Sequence, residues 1–209
     1  MSDGFIGGSG GGILSAGVLI LTDCTISGNV SSDSSGGGGV MNDHGTMTIT
    51  GCTISDNNAG LGGGGGGVLN ENGTMTITRC TISNNSVSGW LLSSEGGGIL
   101  NESGGSLIVT NSTISGNTCS AVYFDPFPAT ALGGGVYNSG SMTITNCTIS
   151  GNSAVGITSL DTGEGGGISN GGNLQITSST IAHNSARVET VHSAVGFMGL
   201  GLREQTAVS

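Results

Sequence analysis

The sequence predicts an all-β chain wound as a right-handed parallel β-helix, and three observations carry that prediction. One repeat recurs six times, apolar residues within each copy alternate with strand period, and a glycine run opens every copy. The copies end at Asn29, Asn57, Asn85, Asn117, Asn152 and Asn184, so successive periods are 28, 28, 32, 35 and 32 residues, the range of a stacked solenoid.

Within one copy, Val40 and Asn42 fall on one side of a first segment, Met47 and Ile49 on one side of a second, and Cys52 and Ile54 on one side of a third. Thr46, Thr48, Thr50, Thr53 and Ser55 fall opposite. The phase breaks at Asn42 to Gly45, at Thr50 to Gly51 and at Asp56 to Asn57, which read as corners. The expectation is therefore about six coils of three short strands each. Hairpin turns of the kind that propellers and sandwiches need are missing between these segments. Glycine is abundant, at 44 of 209 residues, but has no strict third-residue period, which excludes a collagen-like rod. The helix is expected over residues 1–184. Residues 185–209 leave the repeat, and are read as a tail that either caps the open end of the stack or stays disordered.

Stacking coils at ~4.8 Å turns equivalent residues into ladders. Ile26, Ile54, Ile82, Ile114, Ile149 and Ile181 make an apolar column, and Cys24, Cys52, Cys80, Ser112, Cys147 and Ser179 a second inward one. Serine replaces cysteine twice there, so the position asks for a small side chain rather than a bridge or a metal ligand. Two asparagine ladders follow, one through the repeat ends and one through Asn42, Asn70, Asn101, Asn138 and Asn170; amide-to-amide hydrogen bonding between coils makes both structural. Cys119 lies off the ladder in the longest insert, where a bystander is a simpler reading than a reactive thiol.

The formal net charge is −10 with three basic residues, which argues against nucleic acid and acidic membrane surfaces. No run is long enough for membrane insertion as a helix, and no close Cys pair supports zinc. No cofactor is expected; Ca2+ suits the charge, but no calcium motif is present. His44, His183 and His192 have no partners in triad order. The N-terminus has no export signal and opens almost directly on the repeat, which fits a fragment of a longer secreted or surface protein.

The motif Gly-Gly-Gly-Ile/Val recurs at Gly10 to Ile13, Gly37 to Val40, Gly65 to Val68, Gly96 to Ile99, Gly133 to Val136 and Gly165 to Ile168, each followed by Ile-x-x-Asn as at Ile26 to Asn29. These residues resemble the β-helix repeats of polymorphic outer-membrane proteins and adhesins, whose paired motifs are Gly-Gly-Ala-Ile/Leu/Val and Phe-x-x-Asn. The resemblance covers residues 7–184, with Gly for Ala and Ile for Phe. It implies an extracellular or cell-surface β-helix that binds a glycan or other surface ligand. Motif strings of pectate-lyase-like and polygalacturonase-like β-helices do not occur in the sequence.

Function on such scaffolds sits on inserts at one corner. Here the inserts grow at Ser86 to Glu95, Thr118 to Leu132 and Ser153 to Glu164, leaving the same corner of adjacent coils. They carry Trp90, Tyr123, Phe124 and Phe127 as candidate ligand-binding residues, four of the seven aromatics in the chain. They also carry Glu95, Asp125, Asp161 and Glu164, which become catalytic candidates if the chain is a hydrolase or lyase. Aromatic rings beside carboxylates suit sugar binding, and two carboxylates across a cleft suit acid–base attack on a glycosidic bond. Packing that merely orders the loops explains the same aromatics. A further surface is the outward array of Thr25, Thr53, Thr81, Thr113, Thr148 and Thr180 beside Ser27, Ser55, Ser83, Ser115 and Ser150, which offers a lattice for ice or another crystal surface. The leading expectation is a non-enzymatic surface binder, with a carbohydrate-active enzyme second.

Overall fold

The computed structural model describes residues 5–6, 10–32, 36–60, 64–90, 93–122, 128–158 and 160–189, the side chains of Phe5, Ile6 and Trp90 excepted. These residues form a right-handed parallel β-helix. Three sheets of six strands run the length of the stack and define six rungs. In the second rung their strands are Val40–Asp43, Thr46–Thr50 and Thr53–Ser55. All pairings are parallel, and register follows the repeat: Ile54 lies between Ile26 and Ile82, and Thr48 between Ile20 and Thr76.

The expected fold class stands, but three strands per coil is one too few. A fourth sheet of seven strands occupies the starts of the segments that read as inserts, including Asn58–Gly60, Ser86–Trp90, Thr118–Val122 and Ser153–Gly156. It continues to Ser185–Val188, in register with Ser153–Gly156, so the helix passes the expected boundary at residue 184. Residues 190–209 lie outside the described residues.

Left-handed backbone makes the corners. Between the second and third sheets it falls on Asp23, Gly51, Arg79, Asn111, Asn146 and Ser178; between the third and fourth on Gly28, Asp56, Asn84, Gly116, Gly151 and His183. At the repeat ends the residue with positive φ is thus the one before the ladder asparagine, not the asparagine itself. That leaves the ladder side chain free to turn inward.

Inside, Val40, Met47, Ile49, Cys52 and Ile54 and their counterparts form one continuous core. The asparagine ladder closes the third-to-fourth corner beside it. The Asn117 Oδ1 accepts the Asn85 backbone N–H at 2.9 Å and the Asn85 amide at 3.0 Å, while the Asn117 amide donates to the Ile82 carbonyl at 3.0 Å. Every polar atom of such a buried amide finds a partner, so the ladder satisfies the corner at little cost. The last glycine of each run makes room for this ladder: a Cβ on Gly98 would stand 2.9 Å from the Asn117 side chain and 2.7 Å from the Gly135 carbonyl.

On rungs three to five a second layer lies over the fourth sheet. Its strands Ser94–Glu95, Thr130–Leu132 and Thr162–Glu164 form a small parallel sheet. Ala59, Val87, Cys119, Ala121, Ala129, Ala131 and Ala154 fill the space between the two layers. Small residues let the layers approach closely; a Cβ on Gly163 would lie 2.3 Å from the Ala154 carbonyl.

Candidate functional site

The described residues of the three long inserts form one lobe. Trp90 ends a strand of the fourth sheet in register with Val122, and Ile157 donates its N–H to the Ala121 carbonyl at 3.0 Å, so the three strands end at one level. Tyr123, Phe124, Asp125 and Phe127 lie outside the described residues, as does the Trp90 side chain.

The remaining candidate acids have different settings. Glu95 and Glu164 occupy one column of the second layer with Leu132 between them, which puts their backbones roughly 10 Å apart at two strand spacings. Glu95 is half-buried and Glu164 exposed, and burial pushes the Glu95 carboxyl above its ordinary value. Asp161 is fully buried. Its Oδ1 accepts the Ala129 N–H and its Oδ2 the Thr158 N–H, both at 2.9 Å, so this carboxylate ties two neighbouring inserts together. Cys119 is fully buried between the layers, where desolvation drives its thiol far up and leaves no thiolate for chemistry.

A second group of acids was passed over in the sequence, although its signal was there. The residue after the inner asparagine is acidic in three consecutive copies: Asp43, Glu71 and Glu102. Asp43 pairs with Glu71, and the Glu102 N–H reaches the Asn70 carbonyl one rung back at 3.0 Å, so the three stack at the corner between the first and second sheets. Burial raises the Glu102 carboxyl, with Glu71 and Glu95 adding to it. Asp43 hydrogen-bonds His44 and holds that imidazole more basic than usual. Among the described residues no group of three or more His, Cys, Asp or Glu is placed to hold a metal ion.

Outside this column, Met41, Leu69 and Leu100 form a buried stripe on the outer face of the first sheet, continued by half-buried Tyr137. The expected Thr and Ser columns do line the outer face of the third sheet in register, ending at Ala182. The wider face of the second sheet is less regular, because Ile20, Ile108 and Gln175 interrupt its central threonine column.

The repeat, the parallel register and the stacked corners agree with the comparisons. The family described as right-handed β-helix region matches residues 5–157 and again 87–201. The chain belongs to that family. The two matches overlap over 87–157, as expected where neighbouring coils are alike. No curated protein and no solved structure matches the chain. Members of a fold family share the scaffold rather than an activity, so function here has to be argued from the lobe and corners.

Proposed function

We propose that this β-helix is an extracellular, adhesin-type surface-binding protein that recognises a glycan or another neutral surface through the lobe on rungs three to five. The observation that carries this reading is the lobe itself. A second sheet is built on these three rungs from the inserts that hold Trp90 and the 123–127 aromatics, which is how a repeat scaffold presents a rigid binding platform. Asp161 supports binding over catalysis, since its carboxylate is occupied by backbone amides. The net charge of −10 favours an uncharged ligand. The test is a glycan array with Trp90→Ala and Phe127→Ala beside the wild type. Loss of array signal in folded variants supports the lobe, and unchanged signal contradicts it.

A carbohydrate-active enzyme is the second reading, favoured by the shared column of Glu95 and Glu164. A half-buried, raised carboxyl suits a general acid, and a partner roughly 10 Å away by backbone approaches the separation of inverting glycosidases. Glu95→Gln and Glu164→Gln each abolish turnover in that case and leave binding largely intact in the first.

A further inference from the structure

We propose that the corner between the first and second sheets on rungs four to six is a groove for a neutral saccharide chain, separate from the lobe; this rests on the surface-binding reading above and gives it a second site. The groove originates in turn length. On rung four the turn between Asn101 and Ser106 holds four residues, Glu102 to Gly105, whereas rungs five and six turn with two, Ser139-Gly140 and Gly171-Gly172. The corner thus steps down after rung four, and the step leaves an open groove of about 520 Å3 lined by Ser106, Ser139, Ser141, Asn173 and the turn glycines. It runs into a second hollow of about 500 Å3 that shares Ser141, Gly172 and Asn173 and adds Thr143 and Gln175.

The chemistry of the lining selects the ligand. Its polar side chains are neutral hydroxyls and amides, joined in the second hollow by Met142 and Leu174, and no lining residue is a carboxylate to bind a cation or a base to bind an anion. Tyr137 lies beside the groove rather than in its lining, and brings only its hydroxyl toward it. Its ring packs on the stripe of Met41, Leu69 and Leu100, and its hydroxyl reaches to 3.7 Å from where a Gly171 Cβ would sit. Burial and the nearby Glu95 charge keep that phenol protonated, able to donate as well as accept. Hydroxyls and amides beside one half-buried aromatic suit a polyhydroxylated, uncharged chain.

Gly171 is the independent observation. The other glycines of this corner on rungs four to six are forced: a Cβ would lie 2.4 Å from the Glu102 carbonyl at Gly140, 2.2 Å from the Gly140 carbonyl at Gly172 and 2.5 Å from the Asn101 side chain at Gly105, and Gly104 has a φ of +87°. Gly171 meets nothing closer than 3.7 Å and has no left-handed backbone. Neither packing nor conformation demands glycine there, yet any large side chain would occupy the groove.

The experiment is calorimetric titration of the whole chain with cellohexaose, mannohexaose and a hexamer of N-acetylglucosamine. Gly171→Trp, Tyr137→Phe and the lobe variant Trp90→Ala are compared, each verified as folded by circular dichroism and melting temperature. For the hexaose that binds, the groove predicts a loss of about tenfold or more in Gly171→Trp. It predicts a several-fold loss in Tyr137→Phe, and an unchanged affinity at this site in Trp90→Ala. Wild-type affinity in Gly171→Trp with loss in Trp90→Ala overturns the groove and leaves the lobe reading standing. Binding of none of the three sugars by the wild type overturns both for neutral glycans.

Discussion

Ser15 lies in register with Asn42, and the buried Oδ1 of Asn42 has no hydrogen-bond partner. On every later rung described, that oxygen accepts the amide of the asparagine one coil before, as Asn70 does from Asn42 at 2.8 Å. The ladder therefore starts with one orphaned acceptor because its first rung carries serine. Ser15→Asn supplies the missing donor, and the two-residue turn Ala16-Gly17 matches the one that follows Asn138. We expect a gain of about 1 kcal/mol in urea unfolding. No gain would mean that the orphaned oxygen costs nothing.

The outer asparagine ladder sets a larger effect. Asn117→Ala orphans the Asn85 N–H and amide and the Ile82 carbonyl inside the stack, at a cost of about 3 kcal/mol or more. Asn184→Ala, at the last described rung where the side chain is only partly buried, should cost clearly less. Equal melting-temperature losses for the two would contradict the ladder as a buried network.

The cysteine column is a hydrogen-bond column. Cys80 Sγ accepts the Cys52 N–H at 3.4 Å and donates to the Thr78 carbonyl at 3.2 Å, and Ser112 makes the same two bonds with Cys80 N–H at 3.0 Å and the Thr110 carbonyl at 2.8 Å. This explains why serine and cysteine interchange there. Cys80→Ser should change stability by less than about 1 kcal/mol, while Cys80→Ala leaves an N–H unpaired at about 1–3 kcal/mol. Burial raises the Cys52, Cys80 and Cys147 thiols as well as Cys119, so iodoacetamide should label these four only after unfolding.

Two partly buried acids, Glu95 in the second layer and Glu102 at the first-to-second corner, give a pH signature. Burial raises the folded-state carboxyls of Glu95 and Glu102 above their ordinary value, so the folded chain holds these protons more tightly than the unfolded one. Their contribution is favourable at acid pH and is lost as pH rises through the raised values. Glu102→Gln should therefore stabilise the chain at neutral pH and match the wild type at low pH, with a flatter stability profile between. A parallel profile would show that Glu102 is not desolvated.

Much of this was legible in the sequence, because a ladder repeats its residue type: the isoleucine column and both asparagine ladders follow from period alone. The fourth strand was not. Its inward column is Ala59, Val87, Cys119 and Ala154, too small to produce the alternation of large apolar residues that marked Met47 and Ile49. The candidate acids were located but not sorted, since Asp161 tied to backbone amides and Glu164 in solvent are spelled alike. The groove was invisible because it is made by a difference in turn length between rungs, not by any residue type.

Native mass spectrometry of the chain after prolonged incubation with the neutral hexaoses tests the functional claim most directly, because one spectrum reads binding and cleavage together. Surface binding without turnover predicts a complex carrying one or two intact hexaose units. Shortened or unsaturated sugar products, or the absence of any complex, would contradict it.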